Sequence, residues 1–217
     1  MPHLSHHQSP LYQQLNQSQQ IDRAHFSPTA PYEDSPQSIG FSATISAPHM
    51  HASASESLLP YFPPTTARIL DVGSGSGYLT AVLAQLGGEG ARVIGIDHIQ
   101  GLVDLANENM AKSEKGRQWL KEGRVKFVKE DGRLGYDDPE WRAKGNGEEQ
   151  WDAIHVGAAA KEAHEVLIRQ LKRPGRLFIP VGTSMQYIWV IDKDADGKVT
   201  RKKDIGVRYV PLTDAPT

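Results

Sequence analysis

Residues 68–78 read R-I-L-D-V-G-S-G-S-G-Y, and the fold can be worked outward from them. Ile69, Leu70 and Val72 make the short apolar run that a fully buried parallel strand needs. Asp71 interrupts the run, and Gly73, Gly75 and Gly77 follow at every second position. Alternating glycines let a backbone turn sharply and approach a ligand with no Cβ in the way. Tyr78 to Leu86 is helical in pattern and stops at Gly87-Gly88. Strand, glycine turn and helix N-terminus form the ligand-binding corner of a doubly wound α/β sheet.

Downstream, Ala91 to Asp97 is a second buried strand ending in an acid. That acid stands about 20 residues past the glycine turn, where such folds place the carboxylate that takes ribose hydroxyls. A helical face follows from Ile99 to Met110. Gly123 to Lys129 is a third strand, ending before Glu130-Asp131-Gly132. Residues 137–150, charged and glycine-containing, read as a surface insertion loop. Trp151 to Val156 is a fourth strand, Lys161 to Leu171 an amphipathic helix and Arg176 to Val181 a fifth strand. Two runs around D-A-D-G at 194–197 predict an antiparallel hairpin at the sheet edge. D-K-D-A-D-G resembles the start of a calcium loop, but Lys203 stands where the twelfth-position glutamate is required, so a solvated turn is expected. The expected fold is α/β, a doubly wound, mostly parallel sheet closed by a C-terminal antiparallel hairpin.

Upstream, residues 1–20 are rich in Gln, Ser and His, the composition of a disordered arm; residues 21–217 are expected to form one domain. Pro28, Pro31, Pro36 and Pro48 impose an extended, looping path. Residues 39–52, I-G-F-S-A-T-I-S-A-P-H-M-H-A, are unusually dense in small and hydroxyl residues and offer Ser42, Thr44 and Ser46 as hydrogen-bond donors over a neighbouring site. His49 to Phe62 reads as a helix.

Composition narrows the function. The 217 residues carry a net charge of −2, which gives no bulk attraction to nucleic acid or anionic membrane. With no cysteine, disulfide scaffolds, thiolate zinc sites and thiol catalysis are excluded. No apolar run approaches the ~18 residues of a membrane span and no signal-peptide pattern opens the chain, so a cytoplasmic protein is expected.

Nicotinamide and S-adenosylmethionine enzymes share a glycine corner with an acid after the second strand. The dinucleotide fingerprint is G-x-G-x-x-G, whereas here Gly77 follows Gly75 by two residues. Asp71 would repel a pyrophosphate but favour a sulfonium and an ammonium. Asp97 suits a ribose diol and Asp131 an adenine amino group. Three acids at the C-terminal ends of strands in one sheet point to S-adenosylmethionine.

Seven stretches then resemble the protein-L-isoaspartate (D-aspartate) O-methyltransferase family: P-Y-E-D-S-P-Q-S-I-G-F-S-A-T-I-S-A-P-H-M-H-A (31–52), D-V-G-S-G-S-G (71–77), V-I-G-I-D-H (93–98), D-G-R-L-G-Y (131–136), W-D-A-I-H-V-G-A-A-A (151–160), L-K-R-P-G-R-L (171–177) and V-R-Y-V-P-L-T-D (207–214). The resemblance implies a Rossmann-like methyltransferase that passes a methyl group from S-adenosylmethionine to the free α-carboxylate of L-isoaspartyl residues in damaged proteins and peptides. It implies Ser46 as the active-site serine and Ala43, Thr44, Ile45 and His51 at the cofactor. It also implies Asp97, Asp131, Gly132 and Thr213 as adenosine contacts, beside Asp71, Gly73, Gly75 and Gly77 of the glycine turn. No metal is implied, a monomer is expected, and His49 and His155 are expected to be buried, hydrogen-bonded histidines. A methyltransferase of the same fold with another substrate, and a weakly active or inactive shortened form acting as a binding protein, are the alternative readings. The chain departs from the family pattern at residues 1–20, which do not resemble its helical N-terminal segment, and at Gly182 to Gln186, where its turn is shorter.

Overall fold

The computed structural model describes residues 21–209 and 211–212; the arm expected at residues 1–20, and Thr213, lie outside them. After a 3-10 turn at Arg23–His25, β1 (Gln37–Gly40) and β2 (Ala43–Ile45) pair as an antiparallel hairpin. Next come α1 (Pro48–Leu58) and a 3-10 turn at Leu59–Tyr61. The helix expected over 49–62 thus stops early, because Pro60 has no N–H to continue the ladder.

The alternating units follow: β3 (Arg68–Val72), α2 (Tyr78–Leu86), β4 (Arg92–Asp97), α3 (Gln100–Ala111), α4 (Glu114–Lys121) and β5 (Val125–Lys129). After a 3-10 turn at Gly132–Leu134 come α5 (Pro139–Arg142), β6 (Trp151–Val156), α6 (Glu165–Gln170), β7 (Leu171–Val181), β8 (Gln186–Lys193) and β9 (Val199–Val207).

Seven strands form one sheet in the order β5-β4-β3-β6-β7-β8-β9. From β5 to β7 the pairs are parallel, and β7-β8-β9 are antiparallel. Ile69 and Val93 join a core under α2 and α3, while Leu70, Ile94 and Ile154 join a second core with Leu167 and Ile168 of α6. Burial on both faces explains why these strands read as continuous apolar runs. The strand order reverses at β3, flanked by β4 and β6, and ligands bind at the carboxyl ends of strands at such a switch point.

Four expectations need correction. Residues 137–150 are not simply a surface loop: Asp138 and Gln150 are 2% and 0% exposed. The Asp138 carboxylate takes Nη2 of Arg68 at 2.6 Å and caps α5 through the Glu140 N–H at 3.0 Å. Only Glu165–Gln170 of the helix expected over 161–171 is helical, and β7 begins at Leu171, five residues before the expected strand. An unexpected helix, α4, forms because Ser113 caps it by accepting the Gly116 N–H and Trp119 is buried. His49 is about one-third exposed rather than buried.

The turn at 182–186 closes a hairpin in which Val181 pairs with Tyr187. At the calcium-like turn, Asp194 Oδ1 accepts the N–H groups of Asp196 and Lys198.

Candidate active site

The glycine turn is built by backbone bonds between strand ends: the N–H groups of Gly73 and Ser74 both donate to the Ile96 carbonyl, at 2.8 and 3.0 Å. Gly73, Gly75 and Gly77 all have positive φ, which explains the alternation. A Cβ on Gly77 would meet the Phe127 ring at 2.9 Å, so that glycine serves the packing of α2.

Asp97, 6% exposed, closes the turn by accepting the N–H of Gly75 at 3.2 Å and of Ile99 at 3.1 Å. Burial raises its pKa, opposed by those two bonds. A carboxylate offers about four lone-pair sites, so sites remain for a diol.

Above the turn lies a cavity of about 400 Å³ lined by Ala43, Thr44, Gly73, Gly75 and Asp97, with Ile99 and Leu102 as an apolar side. Its size is that of a small-molecule site, roughly 300–1,000 Å³. Apolar surface beside a carboxylate and exposed glycine backbone fits a nucleoside.

A second, larger cavity of about 840 Å³ is lined by Ser46, Asp34, His49, Arg208 and Tyr209. The two share Thr44, Gly157 and Pro211, so they adjoin. Gly157 faces Gly73 across the switch point: a Cβ on Gly73 would sit 3.7 Å from the Gly157 carbonyl carbon.

Ser46 is held by its backbone. Arg23, 4% exposed, donates from Nη2 to its carbonyl at 2.6 Å. Tyr209 lines the same cavity as Ser46, and burial raises its phenol pKa. The same Arg23 reaches His51 Nδ1 at 3.0 Å and lies 4.7 Å from the Tyr78 ring centre. Burial, then the Arg23 charge, hold the His51 pKa well below the ordinary 6.5.

Ile45, Ser46, His51, Asp71 and His155 meet at a narrow cleft behind the turn. Asp71 is 1% exposed and its two oxygens already have partners: Thr80 Oγ1 donates at 2.6 Å, and His155 Nδ1 lies at 2.8 Å. Its charge therefore reaches the cavity chiefly as a field from behind the turn.

Asp131 and Gly132 stand beside the cavity and not on its wall. Asp131 pairs with Arg133 at 2.6 Å, which lowers its pKa, and a Cβ on Gly132 would overlap Val72. Thr213 lies outside the described residues. Sequence reading did not single out Phe41, Gly157, Arg23 or Tyr209. The signal for Phe41 was its place in the hydroxyl-rich segment; Arg23 acts across 28 residues, and its one signal was the family-like D-R-A-H-F at 22–26.

A buried carboxylate behind a G-x-G-x-G turn disfavours a pyrophosphate, and the adjoining groove leaves room for an acceptor. Fold and site together define the class of S-adenosylmethionine-dependent methyltransferases.

The family model for protein-L-isoaspartate(D-aspartate) O-methyltransferase matches residues 9–217. The chain belongs to this family. It is 50% identical over 195 residues to a protein-L-isoaspartate O-methyltransferase of Triticum aestivum, covering 89% of this chain and 80% of that protein. A Caenorhabditis elegans relative of the same name is 43% identical over 89% of this chain and 81% of its own length. A Plasmodium falciparum crystal structure, described as a protein-L-isoaspartate O-methyltransferase in complex with S-adenosyl-L-homocysteine, superposes with a TM-score of 0.77. It is 32% identical, with 89% of this chain and 87% of that one covered.

Proposed function

We propose that the protein transfers a methyl group from S-adenosylmethionine to the free α-carboxylate of L-isoaspartyl residues in damaged proteins and peptides. The observation that carries this reading is the junction of the two cavities at Thr44 and Gly157, with Asp97 on one side and Ser46 on the other. S-adenosylmethionine, when bound, supplies a methyl group activated by its sulfonium.

The chain's own residues then have to position and exclude water. A carboxylate with a reference pKa near 3.9 is ionised at neutral pH, so no general base is required. Ser46 orients the acceptor carboxylate by donating a hydrogen bond, with Arg23 fixing its backbone and Tyr209 lining the same groove. His51 stays neutral, beside the glycine turn as the family's cofactor contact there would be, and His155 is tied to Asp71. Gly73, Gly75 and Asp97 would hold the nucleoside in the cavity that Ala43 and Thr44 also line, and Asp71 would supply negative charge behind the turn. Burial of the reacting pair strengthens their attraction, and alignment supplies the rest.

The methyl ester collapses without the enzyme to a succinimide, which hydrolyses partly to normal aspartate. We take the protein to act as a cytoplasmic monomer on protein segments, with neither nucleic acid nor membrane as partner; its small net charge gives no bulk attraction to either of those two, and no described helix is long and apolar enough to cross a membrane. Methylation of an isoaspartyl peptide but not its aspartyl counterpart tests the reading.

A further inference from the structure

The β1–β2 hairpin turns through Phe41 and Ser42, both with positive φ (51° and 58°) after Gly40 at 86°. Positive φ at both central residues is the signature of a type I′ turn, which favours Asn-Gly. A bulky aromatic residue in that conformation is a genuine outlier, and such strain persists only where the surroundings over-determine it.

The surroundings here are specific. Gly101 stands in the first turn of α3, where glycine is a poor helix former, and a Cβ placed on it would overlap the Phe41 ring. Ring and glycine are therefore fitted face to face. Phe41 also lines the cavity that holds Gly75, Asp97 and Leu102, although more than half of its surface is exposed. Below the tip, Ile39 packs on the glycine turn, 3.3 Å from where a Cβ of Gly75 would stand.

An aromatic side chain half open to solvent, in a strained turn, seated on a glycine and forming the outer wall of a nucleoside-sized cavity is built as a cover. We infer that Phe41, seated on Gly101, closes the cofactor cavity and contacts the nucleoside, so that the β1–β2 tip sets cofactor retention. This rests on the cofactor reading above. Aromatic rings hold bases through their faces, and strain in the turn lets the tip open without dismantling a stable local structure.

The test is S-adenosylhomocysteine affinity by calorimetry, with its dissociation rate. Phe41→Asn removes the ring while supplying a residue the turn prefers. Gly101→Ala improves helix propensity while denying the ring its seat. Both variants should be at least as stable to heat as the wild type without ligand, yet bind about 10-fold (Phe41→Asn) and about 3-fold (Gly101→Ala) more weakly, chiefly through faster release. Phe41→Tyr should bind within twofold of wild type. Unchanged affinity in Phe41→Asn would overturn the cover, and unchanged affinity in Gly101→Ala alone would overturn the Gly101 seat. Failure of the wild type to bind S-adenosylhomocysteine at all would instead overturn the cofactor reading and the cover with it.

Discussion

The Arg23 guanidinium lies 3.0 Å from Nδ1 of His51, and both side chains are buried. A guanidinium can only donate. His51 must therefore accept at Nδ1 and carry its proton on Nε2, a neutral tautomer dictated by an arginine 28 residues upstream.

Stability should record that tautomer. The folded pKa of His51 lies below its unfolded value of about 6.5, so the unfolded chain binds the extra proton first. Stability from this group is present above pH 6.5 and lost as pH falls below it, at about 1.4 kcal/mol per pH unit. Comparing urea unfolding at pH 7 and 5.5, the wild type should lose about 1.4 kcal/mol more than His51→Gln. Parallel losses in the two proteins would contradict the assignment.

Removing the arginine should do more. Arg23→Met leaves the Ser46 carbonyl and His51 without their buried donor, at a cost of about 2–4 kcal/mol in unfolding free energy. Turnover should fall with it, because the carbonyl anchor of Ser46 is gone. A variant as stable and active as the wild type would show that Arg23 positions nothing.

Ser46→Ala should lower kcat/KM roughly 10- to 100-fold, the worth of one hydrogen bond to a charged group. S-adenosylhomocysteine affinity should stay within twofold, since Ser46 lines the acceptor groove and not the larger part of the cofactor cavity. Tyr209→Phe, which removes a phenol hydroxyl lining the groove beside Ser46, should cost a few-fold. Steady-state kinetics with calorimetry separates these effects.

Asp71→Asn should distinguish charge from shape. The amide can still accept from Thr80, but the negative charge behind the turn is lost. S-adenosylmethionine, which carries the sulfonium, should lose roughly 5- to 30-fold in affinity, about 1–2 kcal/mol. S-adenosylhomocysteine, which has no sulfonium, should lose less. Equal losses for the two ligands would show that Asp71 acts only by holding Thr80 and His155.

Asp138 is the stability hinge of the 137–150 segment. It pairs with Arg68 at 2.6 Å and faces Arg92 at 3.5 Å, while Arg68 lies 4.4 Å from the Trp141 ring centre. Asp138→Ala should cost about 3–5 kcal/mol, since it strands a largely buried guanidinium. Chemical denaturation gives the value directly; a loss below about 1 kcal/mol would mark the segment as a dispensable insertion.

These residues also show where sequence reading works. Strand, glycine turn and helix at 68–86 were legible because every signal in them is local: an apolar run, glycines at positive φ and a glycine stop. Asp97 was legible because the turn fixes its distance along the chain. The 137–150 segment was not, because its charges look solvated until Arg68 and Arg92 arrive from β3 and β4. Helix α4 hid among lysines, glycine and arginine, with Trp119 as its main apolar contact. The Phe41-Ser42 turn ran against local preference, which argues for loop, not hairpin; tertiary packing on Gly101 decides it. Ser46 came from the family resemblance, while Arg23, which holds its carbonyl, needed three dimensions.

In the proposed function, the groove beside Ser46 presents an isoaspartyl carboxylate to the cofactor cavity. Methyl transfer to a matched pair of peptides, identical except for one L-isoaspartyl or L-aspartyl residue, tests it most directly. Base-labile methyl ester is expected on the isoaspartyl peptide and none above background on its partner, with S-adenosylhomocysteine as inhibitor. Equal labelling of both peptides, or of neither while the cofactor binds, would contradict it.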